Sequence, residues 1–118
     1  MRLIHLICDS DGNSQFGEDV ELELIPQAFA PPAPDLEVSA PVAASQMEVL
    51  RFPAGWVGPA HPSPTRQMMA FMVGELEVTA GGKSRRIVAG DIVLLEDNES
   101  AGHETTALVD TIAIAVKL

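Results

Sequence analysis

Gly55-Trp56-Val57-Gly58-Pro59-Ala60-His61-Pro62-Ser63-Pro64-Thr65-Arg66-Gln67-Met68-Met69-Ala70-Phe71-Met72-Val73-Gly74 is the stretch from which the fold is read. If it is extended, side chains two apart share a face, so His61, Ser63, Thr65, Gln67, Met69, Phe71 and Val73 point the same way. That face starts polar and continues apolar. Met68, Ala70 and Met72 make the opposite face apolar as well, which predicts a strand over 66–73 central to its sheet. Pro62 and Pro64 withhold backbone donors on one side, so 61–65 is read as an edge or an irregular lead into that strand. Downstream, Gly90-Asp91, an apolar run and His103 complete the frame of a candidate site.

Working outward, the remaining strand signals are short and punctuated by turn residues, and no long segment has the helical period. Strands are predicted over 2–8, 20–25, 47–52, 75–80, 84–88, 92–95, 105–109 and 111–116. Ala80-Gly81-Gly82-Lys83 reads as a hairpin turn, because its glycines accept positive φ. Residues 9–14 read as a turn. From 26 to 45 the chain carries prolines at 26, 31, 32, 34 and 41, which favour an extended, surface-hugging arm. Such an arm either drapes over the body or reaches a partner subunit. The sum is an all-β chain, an antiparallel sandwich or barrel, organised as one domain over 1–118. Its N-terminal strands occupy 1–25, the arm 26–45 and the barrel core 46–118.

Composition sets limits on function. A chain of 118 residues with 47% hydrophobic content buries about 65% of its unfolded surface in a single core. Its net charge of −10 repels phosphate backbones and anionic lipid, so neither nucleic acid nor a membrane is an expected partner. One cysteine, Cys8, excludes an intramolecular disulfide and a cysteine-rich zinc site. The apolar start at 3–8 is too short for a signal-peptide core, and a cytoplasmic location is expected. Asp9-Ser10-Asp11-Gly12-Asn13 begins like a calcium loop but has Ser14 and Val20 where Gly and Glu are required. No serine sits in a nucleophile turn.

The spacing Gly55, His61, Ser63, Gln67, Gly74 resembles the first motif of the cupins, small double-stranded β-helix barrels of the jelly-roll type. Their motif is Gly, five residues, His, one residue, His, three or four residues, Glu, six residues, Gly. Ser63 stands for the second His and Gln67 for the Glu. Gly90-Asp91 and His103 resemble the second motif, with a gap two residues longer than usual. The resemblance covers about residues 47–118 and implies an RmlC-like jelly roll of the kind found in small bacterial cupins without an assigned function.

In that family three His and one Glu hold a divalent metal that supports dioxygenase, isomerase or decarboxylase chemistry. By position, the resemblance makes His61, Gln67 and His103 the metal candidates, for zinc, iron, manganese or nickel. With a neutral amide and a serine in place of two ligands, metal affinity is expected to be reduced or lost. A carboxylate from Glu96, Asp97, Glu99 or Glu104 entering the cavity would restore a two-His, one-carboxylate set, although those acids equally read as a solvated loop. Ser63, Met69, Phe71 and Trp56 are candidates for a substrate pocket, and Gln67 equally satisfies a buried polar cluster with His61 and Ser63. Arg66, of opposite parity, is expected to face outward and pair with a surface carboxylate. His5 is read as a strand residue outside the site.

Three functions follow as expectations. The first is a module that binds a small polar or aromatic molecule in the barrel, with metal optional. The second is a metal-dependent enzyme using His61, His103 and Gln67 or a loop carboxylate. The third is a dimerisation body, since exposed strand edges favour pairing and the resemblance implies a homodimer.

Overall fold

Short β-prone runs broken by glycine and proline leave no segment long enough for a helix. The computed structural model, which describes residues 1–118, contains thirteen strands and no helix. In chain order these are β1 (Arg2–Cys8), β2 (Ser14–Phe16), β3 (Val20–Glu21), β4 (Ile25–Gln27), β5 (Leu36–Val38), β6 (Gln46–Phe52) and β7 (Val57–His61). They continue with β8 (Gln67–Val73), β9 (Glu75–Ala80), β10 (Lys83–Val88), β11 (Ile92–Glu96), β12 (His103–Ala107) and β13 (Thr111–Lys117). The larger sheet runs β2-β1-β11-β8-β13-β6, with β3 beside β1; the smaller runs β10-β9-β12-β7. Pairing is antiparallel throughout except that β1 lies parallel to β11. Strands β4 and β5 form a separate hairpin within the proline-rich arm.

Alternation decides which residues reach the core. In β9, Leu76, Val78 and Ala80 are buried while Glu75, Glu77 and Thr79 are not, as a period of two requires. The same rule sends Ile4 and Leu6 of β1, Phe71 of β8, Val93 and Leu95 of β11 and Ala113 of β13 inward to meet Leu76, Val78 and Ile87 of the smaller sheet. Burying a side chain such as Leu76 or Ile87 contributes about 1.5–3 kcal/mol. On the outer face of the larger sheet, the register sets Ile92, Ala70, Ile114 and Val49 in one row and Leu94, Met68, Val116 and Met47 in the next.

The predicted strands over 2–8 and 75–80 match β1 and β9, and most others differ only at their ends. Three expectations need correction. The shared face from His61 to Val73 does not exist, because the chain leaves the smaller sheet after His61 and joins the larger one at Gln67. Alternation then breaks again, since β13 skips Met72 between Phe71 and Val73, and both Met72 and Val73 are exposed. The strand at 20–25 shrinks to β3, and the strand at 105–109 begins at His103 and ends at Ala107. Four strands were not predicted: β7, which contains Gly58 and Pro59, β2, which starts inside the predicted turn, and β4 and β5 of the arm, of which only Ile25 fell in a predicted strand. The lead-in at 61–65 is irregular beyond His61, as its prolines require. Arg66 does face outward, bonding Glu96 at 2.6 Å.

The arm makes the molecule elongated. Its radius of gyration is 15.4 Å, against roughly 13.5 Å for a compact chain of this length.

Gly74 turns the chain from β8 into β9 and so from one sheet to the other. It has φ of +95°, and a Cβ there would run into the Thr111 side chain and the Asp110 carbonyl. Gly74→Ala is therefore expected to cost about 1–3 kcal/mol in urea denaturation; an unchanged midpoint would contradict this role for the turn.

Candidate functional site

The two histidines of the predicted site meet across a strand pair. His61 ends β7, His103 begins β12, and the two are direct register partners with ring centroids 4.9 Å apart. Gly102 makes this approach possible. Its φ is +113°, and a Cβ at that position would collide with the His61 backbone. Gly58 does the same for the neighbouring wall, because a Cβ there would lie 2.6 Å from the Trp56 ring and 3.0 Å from His61 Cε1. A register shift between His103 and Thr105 accommodates Pro59, which cannot donate to the ladder.

Each imidazole is held through Nδ1. His61 Nδ1 lies 2.7 Å from the Pro59 carbonyl, and His103 Nδ1 lies 2.6 Å from Asp97 Oδ2. Both partners only accept, so both Nδ1 atoms donate, and each neutral ring keeps its lone pair on Nε2. His103 is 6% exposed and Asp97 fully buried. Ser14 also donates to Asp97 Oδ2 at 2.5 Å, Ser100 bonds Ser14, and the Gly102 amide donates to Ser100. Ala101 N–H reaches back to the Gly12 carbonyl. The turn at 9–14 thus clasps the loop that presents His103.

Burial pushes the Asp97 carboxyl up, but hydrogen bonds from His103 and Ser14, attraction to the His103 ring and the Ser63 amide outweigh it. The result lies below the ordinary value of 3.8. Although the Ser63 amide acts on this carboxylate, Oδ1 has no full hydrogen-bond partner.

The rings open onto a cavity of about 70 Å³ between the sheets, lined by fourteen residues of which eleven are hydrophobic. Met69, Phe71 and Trp56 stand in its wall, together with Leu76, Val78 and Ile87. Trp56 meets Phe52 edge-on at 5.2 Å. The residues of its wall that are not hydrophobic are His61, His103 and Thr105.

Ser63 and Gln67 are not in this wall, which corrects the expectation that they share it with the histidines. Both are buried. Gln67 donates to Ser63 Oγ at 2.8 Å, and Ser63 donates to the Thr65 carbonyl, so they staple the crossing between the sheets. Among the four candidate acids, Glu96 turns outward to Arg66 and His5, while Glu99 and Glu104 are exposed. Asp97 does turn inward, but it meets the far nitrogen of His103 and not the cavity. Asp97 as the His103 partner, with Ser14, Ser100 and Gly102, was missed. Of these, the sequence had singled out only Asp97, as a candidate metal carboxylate.

By sequence the chain matches no protein-family profile and no curated protein. By structure it resembles a cupin superfamily protein from Desulfitobacterium hafniense, with TM-score 0.53 and 14% identity over 86% of this chain and 83% of that one. An RmlC-like cupin from Shewanella frigidimarina aligns over 96% of this chain and 81% of its own at TM-score 0.50 and 16% identity. A cupin 2 conserved barrel domain protein from Salinispora arenicola gives 0.50 and 21% over 79% and 73%. No helix is long and apolar enough to cross a membrane.

Because its folded value is depressed, Asp97 adds stability above the ordinary carboxylate value, and that contribution is lost as the pH falls through the folded value. Wild-type melting temperature is expected to fall more steeply below pH 3.8 than that of Asp97→Asn. At neutral pH Asp97→Ala should cost about 3 kcal/mol in denaturant titration, since it strips a partner from a buried pair. Parallel acid profiles would refute the coupling. With two facing sheets closed over an apolar interior and matching solved structures of that kind, the chain has the cupin fold, an RmlC-like jelly-roll barrel.

Proposed function

We propose that the barrel interior binds a small, largely apolar molecule whose one polar end is recognised by Nε2 of His61 and His103. The observation that carries this reading is an otherwise hydrophobic wall whose three polar residues, His61, His103 and Thr105, come from the paired strands β7 and β12. A neutral imidazole with Nδ1 already donating offers Nε2 as an acceptor, so the complementary group is a hydroxyl or another donor. Thr105 adds a hydroxyl two residues along the same strand face as His103. At about 70 Å³ the cavity is smaller than the ~150 Å³ apolar void that takes up benzene. The ligand class is thus short alcohols and molecules of like size, narrower than the polar or aromatic ligand expected from sequence. Burial of apolar surface supplies affinity, while the two fixed rings supply orientation.

A second reading, a divalent metal, is favoured by the Nδ1 contacts, because a carboxylate or carbonyl on the far nitrogen is the usual support of a ligating histidine. The fit is partial. No group of three His, Cys, Asp or Glu side chains converges in the structure, and the Gln67 amide is tied to Ser63 outside the cavity wall. His61 and His103 would hold a zinc, iron, manganese or nickel ion by two bonds, and such an ion would polarise a ligand oxygen. Asp97 then orients His103, and the Pro59 carbonyl orients His61.

Two measurements test these readings on protein purified without a histidine tag. Saturation-transfer NMR with isobutanol should show contacts with Met69 and Phe71 methyl and ring protons that weaken at least tenfold in His103→Ala. Absence of any contact would end the ligand reading. Elemental analysis after reloading should return under a tenth of an equivalent of metal if the first reading holds. A full equivalent, lost in both His61→Ala and His103→Ala, would replace it by the second.

A further inference from the structure

The cavity wall holds three hydrogen-bond acceptors that the chain leaves unused. His61 and His103 each spend Nδ1 on an accepting oxygen, so Nε2 of each neutral ring keeps a lone pair without a partner. Thr105 Oγ1 bonds neither ring. His103 and Thr105 are each 6% exposed, yet Asp97 Oδ1 is the one side-chain polar atom both sealed and unpaired, so these acceptors open to the cavity they line. Ring centroids 4.9 Å apart are close enough for one small group to meet both histidines. A hydroxyl brings one hydrogen to three acceptors, and an acceptor that loses water without a replacement costs its full desolvation. An alkylammonium brings three hydrogens and needs no donor in return.

Charge points the same way. Asp97 is fully buried, and its only ion-pair partner is the His103 ring at 2.6 Å. Every arginine pairs with another acid, and no Lys or Arg lines the cavity. With His103 neutral, a buried negative charge stands behind the ring without a cation, beside an open space that a cation fits. The chain as a whole carries −10, which draws cations from solvent. Phe16, Phe52, Trp56 and Phe71 supply rings whose faces attract an ammonium.

We propose that the ligand of the barrel is a short primary alkylamine in its ammonium form, donating to His61 Nε2, His103 Nε2 and Thr105 Oγ1 with its alkyl group against the apolar wall. This rests on the reading of the cavity as a small-molecule site and narrows its ligand from alcohols to amines. The proton stays on the amine, because an alkylammonium such as that of lysine ordinarily titrates at about 10.4 and an imidazole at about 6.5. Asp97 is a positioning residue here: it fixes the His103 tautomer that accepts, and it supplies the counter-charge through the ring. A carboxylate ligand requires the opposite arrangement, a charged His103 that donates from Nε2.

Trp56, the only tryptophan, stands in the cavity wall and reports occupancy by its fluorescence. Titrations of the full chain, purified without a histidine tag and kept in chelator, compare isobutylamine, isobutanol and isobutyrate at about pH 8, where the amine is charged. Isobutylamine is expected to bind about tenfold more tightly than isobutanol, and isobutyrate more weakly than either. Thr105→Val keeps the side-chain shape but removes one acceptor, and Asp97→Asn removes the counter-charge. Each should lower the ratio of amine to alcohol affinity about fivefold, whereas a merely structural role would weaken both ligands alike. Thr105→Val carries the test by itself if Asp97→Asn does not fold. Isobutanol bound as tightly as isobutylamine would overturn the amine and leave the cavity reading standing; silence from all three ligands would remove both. A preference for isobutyrate, or a ratio unmoved in Thr105→Val, would also refute the proposal.

Discussion

The pairing of β12 with β7 at His61 and His103 is the contact on which the site depends. These strands close the smaller sheet at the mouth of the barrel, and register alone brings together two rings that are forty-two positions apart in the chain. The approach is so close that only glycine fits at 102, and the loop before it must be held still for the register to persist. That is the task of the buried serines and Asp97. They tie the loop to the N-terminal turn and to His103 in one connected network, where each hydroxyl and carboxylate restrains the next.

This dependence explains why the N-terminal strands belong to the barrel. Strand β1 lies parallel to β11 and supplies Ile4 and Leu6 to the core, while the turn after it supplies Ser14 to Asp97. Without them the loop carrying His103 would lose its partners, and the cavity would lose Leu6 and Phe16 from its wall. The turn that looked like an incomplete calcium loop is better explained as a clasp. Asp9 Oδ1 accepts from the Asp11 and Asn13 amides, which closes the turn on itself without an ion.

Much of the fold was legible, and for a definite reason. Where a strand has one face in the core, alternation writes itself into the sequence, as in β1 and β9, and glycine marks the corners. Legibility failed where backbone geometry decides. Strand β7 holds Gly58 and Pro59, residues that argue against a strand, yet it forms because the space beside Trp56 and His61 requires a missing side chain. The arm looked like a plain connector, but it contains a small hairpin whose pairing was hidden by its prolines.

By itself the sequence determined an all-β chain with its strands and corners, because periodicity and glycine spacing are local properties, and of the cavity wall it named only Trp56, Met69 and Phe71 beside the two histidines. Only the tertiary structure decided what those histidines touch. It put Ser63 and Gln67 to work stapling the crossing, turned Asp97 onto Nδ1 of His103 and set both rings in the wall of the apolar cavity. The physical reason is that parity predicts a face only within one strand. Between His61 and Gln67 the chain changes sheets, and beyond that crossing the direction of a side chain is set by the partners that surround it.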